Sequence, residues 1–81
     1  MIVQDVRWKV NRILEPIADR KATDIVDQDR LVEDLGLDSL DRAELQLALE
    51  EGFEREIPDP VFEKWATVGD MIEWLSQTGE A

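Results

Sequence analysis

Near the N-terminus, Val3, Val6, Val10, Ile13, Leu14 and Ile17 recur at spacings of three and four, with Arg7, Lys9, Asn11 and Arg12 on other faces. That pattern predicts an amphipathic helix, which Pro16 is expected to end because proline offers no N–H to the helix ladder. Trp8 lies off the Val6, Val10, Ile13 stripe, as an exposed partner contact would, but the favoured expectation is a ring half-buried along a neighbouring helix, the one carrying Trp74. Residues 16–37 hold Pro16, Thr23, Asp24, Asp27, Asp29 and Gly36 among scattered Ile17, Ile25, Val26, Leu31, Val32 and Leu35. They read as a long ordered loop whose apolar side chains need a core to lie against. From Ser39 to Glu54 strong helix formers dominate, and Gly52 weakens the last turn. Ile57, Pro58, Asp59 and Pro60 break that second long helix, and the stretch from Pro60 to Trp65 has length for a short helix only. Thr67 caps a final helix through Val68, Met71, Ile72 and Leu75. No segment alternates with period two and no repeat appears. The expected fold is all-α, a bundle of three main helices plus one short helix with a long first loop, forming one domain over residues 1–81.

The second helix has two apolar stripes when its residues are placed at 100° intervals. Leu45, Leu49 and Phe53 share one side. Leu40, Ala43 and Leu47 share another, with Glu44, Glu50, Glu51 and Glu54 beside them. One stripe can face the bundle, and the other is then left exposed as an apolar centre with an acidic rim, the form of a docking surface for basic partners.

Charge sharpens this picture. The 81 residues include 20 acidic and 9 basic side chains, a net charge of −11, with no His and no Cys. Such a charge opposes nucleic acid and anionic lipid and favours a basic protein partner. The absence of His and Cys removes nucleophile–imidazole apparatus, disulfides and thiolate metal sites. Apolar runs are too short to span a membrane, and the first residues lack the charged start and apolar stretch of a secretion signal, so a soluble, cytoplasmic monomer is expected. Folding a chain of this size buries on the order of 60% of its surface, enough for one modest core. Asp27 and Asp29 do not open an EF-hand loop, since Leu31 stands at a ligand position and Val32 where glycine is needed. Two carboxylate groups, Glu33 with Asp38 and Asp41, and Glu50 with Glu54 and Asp59, could gather hard cations weakly, but no ligand set is complete and no metal site is expected.

Ser39 is the residue with chemistry left to it. Asp38 is placed as the N-cap of the second helix and Asp41 in its acidic first turn, so Ser39 is an exposed first-turn residue. Its hydroxyl points to solvent, where an esterified phosphate would meet the helix N-terminus.

The surrounding residues carry a resemblance. Leu31-Val32-Glu33-Asp34-Leu35-Gly36-Leu37-Asp38-Ser39-Leu40-Asp41, then Glu44-Leu45, Ala48-Leu49-Glu50-Glu51, Phe53, Glu56-Ile57-Pro58-Asp59 and Glu63-Lys64 closely resemble the acyl carrier proteins of type II fatty acid synthesis. The dense match covers residues 31–68. The resemblance implies 4'-phosphopantetheine, transferred from coenzyme A onto Ser39 between Asp38 and Leu40, and acyl groups carried on it as thioesters. It implies that the protein is no enzyme. It also implies a docking face of Leu40, Asp41, Ala43, Glu44, Leu47, Glu50, Glu51 and Glu54 for basic patches on a phosphopantetheinyl transferase, a ketosynthase and other acyl-processing enzymes. An acyl pocket would be formed by Arg42, Leu45, Gln46, Leu49, Phe53, Ile57, Phe62 and Trp65. Polyketide, peptidyl and D-alanyl carriers share the arm and the bundle, and an unmodified acidic helical interaction module would share the surface. Glu33-Asp34 ahead of Leu35-Gly36, and Glu50-Glu51, favour the fatty acid type.

The chain departs from that family at four pocket positions. Phe62 and Trp65 stand where small or aliphatic residues are common, and Arg42 and Gln46 where small or apolar ones are. Either the rings fill the bundle centre while Arg42 reaches nearby Glu residues, or the pocket is fitted to short or polar acyl groups.

Overall fold

The computed structural model describes residues 2–77, whose α-helices are α1 (Val3–Ala18), α2 (Ser39–Phe53), α3 (Asp59–Lys64) and α4 (Val68–Gln77). The expected all-α bundle of three main helices and a short one is what the chain forms. Helix α1 packs on α2 and α4. Val6, Val10 and Leu14 of α1, Leu45 and Leu49 of α2, Phe62 of α3, and Val68, Met71, Ile72 and Leu75 of α4 meet in one core. Ile25, Leu31, Leu35, Leu37 and Ile57 from the connections complete it, so the loops are folded onto the helices by the same burial that packs the helices together.

Two details of α1 differ from the sequence pattern. Pro16 lies inside the helix, which continues to Ala18 and stops at Asp19, a left-handed residue at φ 55°. Pro16 sits in the last turn, where its missing N–H leaves one helical bond unmade, and burial of Ala18 and partial burial of Ile17 hold that turn in place. Asn11, placed by the pattern among the outward residues, is buried. Its Nδ2 donates to Ile25 O at 3.3 Å and Ala22 O at 3.5 Å, tying the short 3₁₀ turn Ala22–Asp24 to α1.

The long connection before α2 is held by backbone bonds to the start of α4. Leu31 N donates to Ala66 O at 2.9 Å and Val68 N to Asp29 O at 3.0 Å, forming an isolated antiparallel bridge between Arg30 and Thr67. Gly69 N donates to Asp27 O at 2.9 Å. Arg7 of α1 adds a two-pronged bond to the Asp27 carboxylate, from Nε at 3.0 Å and Nη2 at 2.7 Å. Thr67 caps α4 as expected: its Oγ1 accepts from Asp70 N at 3.2 Å while the Asp70 carboxylate accepts from Thr67 N at 3.0 Å. Helix α3 starts one residue earlier than the pattern suggests, at Asp59, with Pro60 in its first turn.

Trp8 is a clear correction. It is 65% exposed, with the Arg12 guanidinium over its ring at 5.3 Å. The ring that packs against Trp74 is Trp65, edge-on at 5.7 Å. Position 8 falls outside the arc of α1 covered by α2 and α4, and an indole has no core to enter there.

Candidate functional site

The start of α2 is built by its own residues. Leu35 and Leu37 are buried on either side of Gly36, which turns the chain at φ 69°, a left-handed conformation that costs a side-chain-bearing residue about 1–2 kcal/mol. Two leucines anchored in the core, with a sharp turn between them, deliver Asp38 to the surface in extended geometry. Asp38 Oδ1 then accepts from Asp41 N at 2.8 Å, and Asp41 Oδ2 accepts from Asp38 N at 3.2 Å. This reciprocal capping box satisfies two helix-end donors and starts α2 at Ser39. Ser39 is exposed, as its first-turn position predicts.

Beside Ser39 lies an open depression of about 250 Å³, lined also by Arg42, Ala43, Gln46, Asp59, Phe62 and Glu63. Gln46 Nε2 donates to Asp59 Oδ1 at 2.8 Å and to Ile57 O at 3.0 Å, joining α2 to the start of α3. Arg42 lies with its guanidinium 5.8 Å from the Phe62 ring centre. Among the described residues it forms no ion pair with a glutamate, and its planar cation lies over an aromatic face instead. Arg42 also borders a second opening of about 280 Å³ with Leu31, Val32, Glu33, Trp65 and Ala66.

The two stripes of α2 separate as their angles require. Leu45 and Leu49 are fully buried, while Leu40 is 79% exposed and Leu47 60% exposed, with Ala43, Glu44, Glu51 and Glu54 exposed around them. Glu50 leaves this rim. Its Oε2 accepts from Ile57 N at 2.8 Å, since it sits at the margin of the stripe facing the connection to α3, where a buried N–H needs a partner. The Asp41 carboxylate is likewise occupied by the helix cap.

Of the residues expected to line an acyl pocket, Arg42, Gln46 and Phe62 meet at the Ser39 depression and Arg42 and Trp65 at the second opening, while Leu45, Leu49 and Ile57 are buried in the core beneath. Phe53 is half-buried, with Lys9 of α1 4.9 Å from its ring centre. Asp59 and Glu63 are lining residues that the pocket pattern did not include, although both belong to the quoted resemblance and Asp59 begins α3.

No group of three or more acidic side chains that could hold a metal ion occurs among the described residues, and no described helix is long and apolar enough to cross a membrane.

The phosphopantetheine attachment site family matches residues 8–75 of the chain. Over 52 residues the chain is 52% identical to an acyl carrier protein of Wolinella succinogenes, an alignment that covers 64% of this chain and 68% of that protein. The family match runs from α1 to α4 and so includes the capped start of α2 and the core beneath it. On these grounds the chain belongs to the phosphopantetheine-binding acyl carrier protein family, carriers rather than enzymes, with 4'-phosphopantetheine as the covalent prosthetic group.

Proposed function

We propose that Ser39 is the attachment site and that the protein carries acyl intermediates of fatty acid or related lipid or polyketide synthesis between partner enzymes. The observation that carries this reading is an exposed serine hydroxyl at the capped N-terminus of α2, beside an open depression. The residues present fit the group: the hydroxyl is accessible to a transferase, and the helix N-terminus offers a favourable electrostatic end for a phosphodiester. Attachment joins the Ser39 oxygen to phosphorus as the pyrophosphate bond of coenzyme A breaks, releasing adenosine 3',5'-bisphosphate and the hydroxyl proton. The group, when bound, supplies the thiol that holds an acyl chain as a thioester. The protein's own part is to present the handle, keep it clear of the core, and offer partners an address.

That address is the outward stripe of α2. Leu40, Ala43 and Leu47 form an apolar centre and Glu44, Glu51 and Glu54 an acidic surround, suited to basic patches on a phosphopantetheinyl transferase or a ketosynthase. Incubation with coenzyme A and a broad-specificity phosphopantetheinyl transferase should add the mass of one arm to the chain, and Ser39→Ala should add none while keeping its helical circular dichroism. Modification of the alanine variant would refute the assignment. The acyl mass on protein taken from its own host identifies the pathway.

A further inference from the structure

The interior beside Ser39 is filled by a row of rings. Phe62 and Trp65 stand 5.6 Å apart between ring centres, and Trp65 and Trp74 stand 5.7 Å apart. A guanidinium closes each end of the row, Arg42 over Phe62 at 5.8 Å and Arg55 over Trp74 at 4.2 Å. Phe62 and Trp65 are buried, and Leu45 and Leu49 are packed into the same core. Rigid rings at interior density yield to an inserted alkyl chain only by displacing one another. The depression outside the row is open, and its lining mixes Ala43 and the Phe62 ring with Arg42, Gln46, Asp59 and Glu63, so a long alkyl chain finds no enclosed apolar space there.

Arg42 is the group on both openings that flank this row. In a chain with 20 carboxyl side chains it makes no ion pair among the described residues, and its Nε is buried without a hydrogen-bond partner. It lies one helical turn after Ser39, on the side of α2 that faces α3. A planar guanidinium held by a ring and lacking an anion is suited to receive a carboxylate.

Resting on attachment at Ser39, we propose that this carrier serves short acyl groups ending in a carboxylate, received by Arg42, and that it excludes long alkyl chains from its core. The arm places such a group within the Ser39 depression, where Arg42 satisfies its charge. A long saturated chain stays in solvent or passes to a partner.

The test loads the full chain with succinyl, butyryl and dodecanoyl groups from their coenzyme A thioesters, using a broad-specificity transferase, and checks each product by intact mass. Failure to load would overturn the carrier reading itself, a result distinct from those that follow. In the loaded proteins, succinyl should shift the Arg42 Nε–Hε resonance and butyryl, of equal carbon count, should not. Arg42→Gln should abolish any difference between the two in the surrounding signals of Phe62 and Ala43. Hydroxylamine attacks the thioester carbonyl, forming the hydroxamate and freeing the thiol. Each methylene withdrawn from water biases the chain about fourfold toward the buried state, so an exposed dodecanoyl chain should be cleaved within about twofold of the free pantetheine thioester. It should leave the Leu49 and Trp65 signals unmoved. Phe62→Ala should open the row and slow that cleavage, and Phe62→Leu should do so to a lesser degree if the alanine variant unfolds. Protection of the dodecanoyl group in the unaltered chain, or equal Arg42 responses to succinyl and butyryl, would overturn the inference.

Discussion

At the scale of single residues, Asp38 shows how a few atoms fix where Ser39 stands. Its carboxylate accepts from Asp41 N at 2.8 Å, and the return bond from Asp38 N to Asp41 closes the cap. Without it, the first turn of α2 loses a partner for an exposed helix-end donor, and Ser39 sits on a fraying end. Asp38→Ala should therefore lower stability by about 1 kcal/mol in urea unfolding, while Asp38→Asn, which keeps an accepting oxygen, should lose only a few tenths. Equal loss in the two variants would place the effect in charge rather than in the cap.

At the scale of elements, α2 divides its faces between support and presentation. Leu45 and Leu49 hold it to the core, and the backbone at Gly52 passes so close to α1 that an added Cβ would stand 2.9 Å from Ile13 Cδ1. The close approach explains a glycine in a helix otherwise made of strong formers. The opposite face keeps Leu40 and Leu47 in solvent. If the proposed docking face is the one used, steering by rim charge acts on encounter and burial of the leucine acts on lifetime. Glu51→Lys should thus slow association with a ketosynthase or transferase, and the slowing should fade as salt is raised, whereas Leu47→Ala should mainly quicken dissociation. Stopped-flow measurement of both rates in both variants checks the division, and unaltered kinetics would move docking to another face.

Across the whole molecule, a net charge of −11 on 81 residues sets the response to pH and salt. Lowering pH from neutral toward the ordinary carboxylate range removes repulsion, so stability should first rise. The Arg7 hydrogen bonds hold the Asp27 carboxyl below its ordinary value, partly opposed by desolvation, and Arg30 does the same for Asp34. The contribution of a carboxyl lowered in this way is fully present above its unfolded value and is lost as pH falls through its folded one. Stability should therefore fall again on the acid side of the ordinary range, and Asp27→Asn should soften that acid limb while leaving the rise from neutral pH intact. Magnesium or added salt at neutral pH should raise the melting temperature. A Tm indifferent to both would contradict this account.

Local chemistry was enough to read the start of α2, the cap of α4 by Thr67, and the split between Leu45 and Leu49 on one side and Leu40 and Leu47 on the other. Caps are made within four residues and helical faces follow from a constant angle, so neither needs knowledge of the rest of the chain. The resemblance around Asp38-Ser39-Leu40 was legible for the same reason, being contiguous. Packing alone decided the remainder. The pattern put Trp8 off the buried stripe, but which rings would meet depended on how α3 and α4 lie together, and it is Trp65 that meets Trp74. Glu50 turned from the rim to Ile57 N, Asn11 turned inward to Ile25 O, and Arg42 settled on Phe62 in place of a glutamate. Each of these choices joins residues seven or more positions apart. A helical period says which way a side chain points, and only the tertiary fold says what stands opposite it.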